Sequence, residues 1–265
     1  MLDPDWALTR PLLWLALLGL VAMLVVRAIR RDRLEYRRFK RYRSTLRRQA
    51  MYRKWLRDAF LTFGAASVAL VLIAGAFIDP LLAETSRWAP IVAVRGWVAG
   101  HPVLAIVIAV TVVLAFTALT VAGVVAARKD GEVPTIGDIG AMLPRNRPEL
   151  GLGAVLSLNA GVFEELVFRL GVPALLFGAT GSAPAAVIGS VLLFGALHAY
   201  QGVAGVIGTT IFGAVFMASY LLTGSILVPI VLHTLFDLRS LVLIPMAVSG
   251  AHHVRPGVRP ATRTS

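Results

Sequence analysis

Seven apolar stretches, each close to the length of a membrane span, constrain this chain more than any single motif: roughly 8–26, 59–77, 102–127, 151–177, 183–200, 203–222 and 225–248. A hydrocarbon core of about 30 Å needs about 20 apolar residues per helix. Backbone groups in lipid are satisfied only within helices or closed barrels. The pattern predicts an all-α fold, a polytopic transmembrane helix bundle of about seven helices. Charged residues make up 15% of the chain and hydrophobic ones 57%, against about 25% charged in ordinary soluble domains. A soluble domain with a large core is excluded on that ground. The absence of cysteine excludes disulfides, thiolate metal sites and a Cys nucleophile.

The formal net charge of +12 has to be mapped before it means anything: fourteen of the 26 Lys and Arg residues lie between Arg27 and Arg57. This segment, 27–58, reads as a positive-inside topology signal with anionic-lipid contact rather than a nucleic-acid surface. Phe39, Tyr42 and Leu46 recur at helical spacing among the arginines, which predicts a basic helix lying on the bilayer surface. The first apolar stretch carries Arg27, Arg30 and Arg31 on its C-terminal side, the reverse of a cleavable signal, and reads as an anchor. Alternation then places the N-terminus outside and the C-terminus in the cytoplasm of a multi-pass cell (inner) membrane protein. The outer face would hold only Arg10, Arg87 and Arg95, while the inner loops and tail would hold 21 Lys and Arg, with Arg255, Arg259 and Arg263 in the tail.

The chain divides by chemistry. Residues 1–149 hold three spans with almost no polar side chains at depth and read as a membrane scaffold. Residues 150–248 hold four spans and the ionisable residues at depth, and residues 249–265 read as a polar cytoplasmic tail. A stretch containing Pro134, Pro144 and Pro148 separates the first two parts, and no internal repeat of a transporter type is visible.

Charges at membrane depth are costly, about 2.5–3.5 kcal/mol each on insertion scales, and mark sites of use. In the fourth span, Glu165 and Arg169 are four apart and share a face, which suits an ion pair. Glu164 is rotated about 100° from Glu165 and is left freer. In the fifth span, Phe194 and His198 are four apart. In the seventh, His233 and Asp237 share a face, and Asp237 is placed to accept the His233 Nδ1–H and fix its tautomer. Each cluster alone also reads as a buried polar contact gluing helices together. Together, a carboxylate base, two imidazoles and an orienting acid suit activation of water for hydrolysis, with or without a metal. No Gly-x-Ser-x-Gly elbow is present, and the last four spans hold no pair of aspartates.

Glu-Glu-x-x-x-Arg at 164–169, Phe-x-x-x-His at 194–198 and His-x-x-x-Asp at 233–237, in that order on the fourth, fifth and seventh spans, resemble the CPBP family of CAAX prenyl endopeptidases and bacterial Abi-type membrane proteins. The resemblance covers roughly 150–245. It implies an intramembrane endopeptidase, of metallo- or glutamate type, that acts on membrane-associated or lipid-anchored peptides. By resemblance, Glu164 and His198 activate the attacking water, His233 and Asp237 complete a metal site or stabilise the oxyanion, and Glu165 with Arg169 supports the site. Two histidines and a carboxylate (Glu164, His198 and His233) would suit a divalent metal, zinc before others. The family's third motif often ends in Asn where this chain has Asp237, a departure that tilts the reading towards a cation ligand. The alternative is a non-catalytic scaffold or bacteriocin-immunity protein that keeps the same polar pocket.

Overall fold

The structure, a computed structural model, describes residues 1–130, 135 and 137–254. Pro134 and the tail residues Arg255, Arg259 and Arg263 lie outside the described residues. The described residues form helices and turns, with no strand among them.

Among the described residues eight helices succeed one another: α1 (Thr9–Phe39), α2 (Thr45–Thr85), α3 (Ala89–Gly100), α4 (Pro102–Asp130), α5 (147–180), α6 (Ala183–Leu197), α7 (Gly202–Thr223) and α8 (Leu227–Ser249). By length and composition α1, α2, α4, α7 and α8 are long and apolar enough to cross a membrane. Helix α5 is as long as these but carries Glu164, Glu165 and Arg169 in its middle. The extra helix relative to the seven expected is α3, a short apolar helix begun by Pro90 in its first turn.

Local signals set the boundaries of the helices that carry the motifs. Asn146 caps α5 by accepting from the Glu149 backbone N–H at 3.1 Å, with Pro148 in the first turn. Ser182 caps α6 in the same way, accepting from Ala185 N–H at 3.3 Å. Gly181 and Gly224 end α5 and α7 in the left-handed conformation, which only glycine adopts without strain.

The core does not respect the boundary at residue 149. Leu13, Leu17, Leu20 and Leu24 of α1 and Leu70 and Ala74 of α2 are buried against Val167, Phe168, Val172 and Leu175 of α5 and Phe194 of α6. The two parts are therefore packed as one body. A second tie is polar. Arg48 of α2, almost wholly buried, pairs with Glu149 at the start of α5 at 3.1 Å and donates to the carbonyls of Ala141 and Leu143 at 2.9 and 3.0 Å. Tyr52 donates to Met142 O, and Tyr36 to Asp138 O.

These contacts correct the expectation of a basic helix lying flat over 27–58. The segment is instead the tip of a hairpin in which α1 and α2 continue past their apolar parts. Phe39 is fully buried, with its ring 4.7 Å from Trp55 and 5.5 Å from Tyr52 and the Arg48 guanidinium 4.5 Å above it. Phe39 faces inward because its ring packs with those of Tyr42, Tyr52 and Trp55; Leu46 alone of the three stripe residues is strongly exposed.

Candidate active site

Glu164 and Glu165 are adjacent and have entirely different surroundings. Glu165 is fully buried. Its Oε2 lies 3.0 Å from Arg169 Nε, and its Oε1 accepts from His233 Nδ1 at 2.7 Å. The Arg169 contact lies off the N–H direction, so it is an ion pair without a formed hydrogen bond. Arg169 is itself 1% exposed, donates to Gly213 O at 3.3 Å, and stacks over Phe194 at 4.4 Å and Phe216 at 5.5 Å. Breaking such a buried pair from one side costs about 3–5 kcal/mol.

Glu164 makes no hydrogen bond or ion pair among the described residues and lines a cavity of about 540 Å³. His198, His233 and Asp237 line the same cavity; Glu165 and Arg169 sit behind its wall. The sequence motifs on α5, α6 and α8 thus meet in one place.

Both histidines are held through Nδ1, by different partners, and leave Nε2 to the cavity. His198 Nδ1 lies 2.9 Å from Phe194 O. A carbonyl only accepts, so Nδ1 carries the proton and Nε2 presents a lone pair. His233 donates from Nδ1 to Glu165, while its Nε2 is 3.7 Å from Asp237 Oδ2, beyond hydrogen-bond reach. The expected partner of Nδ1, Asp237 on the same helix, is therefore replaced by Glu165 from across the bundle. The His233 ring is clamped by Phe216, stacked at 5.0 Å, and by the edge of Phe194 at 6.2 Å.

Two features of the backbone bring these groups together. A Cβ on Gly161, one turn before Glu164, would sit 2.9 Å from Thr234 N and 3.1 Å from Ile230 O, so only glycine lets α8 come close enough for His233 to reach Glu165. Directly after Glu165 the helix loosens into a π-helical segment, Leu166–Gly171, and α8 does the same at Arg239–Leu243, just after Asp237. A third π segment, Ala28–Asp32 in α1, also borders the cavity. Such segments rotate the side chains that follow and recur at functional sites.

Sequence reading missed the rest of the cavity wall. Leu24, Arg27 and Tyr36 of α1, Trp55 and Phe63 of α2 and Leu119 of α4 all line it. Tyr36 packs edge-on against Tyr200 at 5.6 Å, and Tyr200 lies against His198 at 6.0 Å. The one available signal was the run of aromatics Tyr36, Phe39, Tyr52 and Trp55 within the basic segment. As for the metal expected on Glu164, His198 and His233, no three His, Asp or Glu side chains among the described residues are arranged to hold an ion. The donors do not fit a metal in this arrangement, and no step is derived through one.

Residues 146–239 match the family model for type II CAAX prenyl endopeptidase Rce1-like proteins, which supports the CAAX-protease family. The matched segment contains all three motifs. No curated protein and no solved structure matches the chain.

Proposed function

We propose that this chain, whose residues 146–239 belong with the type II CAAX prenyl endopeptidase Rce1-like family, hydrolyses peptide bonds of membrane-associated or lipid-anchored peptides with Glu164 as the base. The observation that carries this reading is the division of labour between the two glutamates. Glu165 is committed to Arg169 and His233, whereas Glu164 has no hydrogen bond or ion pair among the described residues and lines the cavity that His198 also lines.

In this mechanism a water held between Glu164 and His198 Nε2 gives its proton to Glu164, and its oxygen adds to the scissile carbonyl. The proton then passes from Glu164 to the leaving amine. A proton on His233 Nε2 or on Asp237 faces the same cavity and stabilises the oxyanion. Glu165 keeps the His233 ring in register and Arg169 pairs with Glu165 from behind. The apolar walls exclude bulk water, which raises the worth of each of these contacts.

The reading includes an orientation. The basic tip at 27–58 faces the cytoplasm and contacts anionic lipid, with the N-terminus outside and the C-terminus inside, as the Lys and Arg distribution favours. The cavity borders that tip through Arg27, Tyr36 and Trp55, so a peptide approaches from the cytoplasmic side.

The deciding test is cleavage by Glu164→Gln and His198→Ala. Both variants are expected to insert and fold yet lose cleavage, and cells carrying Glu164→Gln are expected to accumulate an uncleaved membrane peptide. Full activity in both variants overturns the assignment. A Glu164→Gln variant that fully replaces the wild type in the cell favours the non-catalytic alternative.

A further inference from the structure

Arg239 begins the π segment of α8, twelve residues into the span Leu227–Ser249. A cation at that place is expected to pair with an acid or to extend towards the membrane surface. It does neither. Its Nε donates to Thr120 Oγ1 of α4 at 2.6 Å, and its guanidinium lies 4.8 Å over the Phe116 ring, one turn earlier on the same helix. These two contacts pin the side chain to the cavity wall, which it lines.

The guanidinium has more donors than it uses. Its two Nη groups make no hydrogen bond among the described residues, and neither is sealed in the interior. The other cation on the wall, Arg27, has Asp32 at 3.4 Å. Arg239 has no acidic partner among the described residues. The acids Glu164 and Asp237 line the cavity together with His198 and His233, and Asp32 lies beside Arg27, so Arg239 is a fixed cation that no acid answers among the described residues. A planar fork of donors held by a ring below and a hydroxyl at Nε is suited to bidentate capture of two oxygens.

We infer that Arg239 is an anion-binding residue of the cavity, taking the carboxylate or phosphate oxygens of an amphiphilic occupant whose apolar part lies along the aromatic wall. The proposal rests on the cavity being the substrate site only for the identity of that occupant: a carboxylate would be the C-terminus of a bound peptide, a phosphate a lipid headgroup.

The test uses the full-length protein in a maltoside detergent, which brings no phosphate, titrated with decanoate, decyl phosphate and decanol and read by the shift in thermal unfolding. The two anions are expected to bind about tenfold more tightly than the alcohol, the scale of one hydrogen bond to a charged group. Arg239→Gln removes that difference and Arg239→Lys keeps part of it. Preference for decanoate points to a peptide carboxylate, and preference for decyl phosphate to a headgroup; both support the site. Should Arg239→Gln fail to fold, Thr120→Val serves in its place, because freeing Nε lowers the preference. Equal binding of all three probes by the wild type, or an unchanged preference in the folded variants, overturns the inference. Glu164→Gln keeps the preference whatever its activity, so the anion site and the hydrolytic reading fail separately.

Discussion

Glu165 of α5 and His233 of α8 meet at 2.7 Å across the bundle, and the other oxygen of the same carboxylate lies 3.0 Å from Arg169. One buried side chain thus holds a guanidinium in its own helix and an imidazole in another. It frees the neighbouring Glu164 from both tasks.

Removing that junction is expected to cost stability before it costs chemistry. Glu165→Ala leaves Arg169 buried and unpaired and should destabilise the protein by about 3–5 kcal/mol. The double variant Glu165→Leu with Arg169→Met should recover much of that loss while cleavage stays absent. Thermal unfolding of the purified variants checks both statements; equal losses in the single and double variants would count against the pairing.

Gly161 offers a steric version of the same test. Its added Cβ would meet Thr234 N at 2.9 Å and Ile230 O at 3.1 Å, both backbone atoms. Gly161→Ala should therefore cost about 1–3 kcal/mol through overpacking. Thr234→Ala should rescue it only in part, because it removes the nearest contact, Thr234 Oγ1, and leaves the two backbone contacts in place. Stability of the single and double variants decides the matter.

Half of this site is legible in the sequence, and the dividing line is physical. Spacing within one helix places Glu165 and Arg169 together, sets Glu164 apart and brings out Phe194 with His198. It fails for His233, whose Nδ1 partner lies 68 residues away rather than four. A four-residue spacing reports only that two side chains share a face; ring rotation is decided by what packs from outside, in this case Phe216 and Phe194. The pair Arg48–Glu149, 101 residues apart, leaves no periodic trace at all. The surface-helix expectation for 27–58 erred for a related reason, since an amphipathic stripe looks the same whether lipid or another helix covers it.

Arg48→Ala is expected to loosen the hairpin tip from the start of α5, at about 3–5 kcal/mol for an uncompensated buried carboxylate on Glu149. Hydrogen exchange should rise first in residues 137–149, whose carbonyls at Ala141 and Leu143 lose their donor. Unchanged exchange in that segment would refute the tether.

The donor arrangement around His198 and His233 also makes a prediction about metals. Activity of the purified enzyme should survive an excess of a divalent-ion chelator, and the protein should show no stoichiometric zinc by elemental analysis. Loss of activity on chelation, restored by zinc, would mean that the ligands rearrange from the positions described.

At the basic tip, Arg37, Arg38, Arg41 and Arg43 are exposed and outside the aromatic cluster. Replacing all four by Gln should weaken retention on vesicles containing anionic lipid by about 1 kcal/mol per charge, with the effect fading in high salt. Equal enrichment of anionic lipid around wild type and variant would show that the tip serves topology alone.

The cavity wall is assembled from both parts of the chain: Glu164, His198, His233 and Asp237 come from α5, α6 and α8, while Leu24, Tyr36, Trp55 and Leu119 come from helices outside the family match. On the proposed function, the helices before residue 146 therefore share selectivity with Arg239 and the aromatic rings of the matched segment, while the groups proposed to react all lie within that segment. Relatives that share the three motifs but differ before residue 146 should carry out one reaction on different molecules. Exchanging α1 and α2 between two of them would transplant preference without touching the catalytic groups.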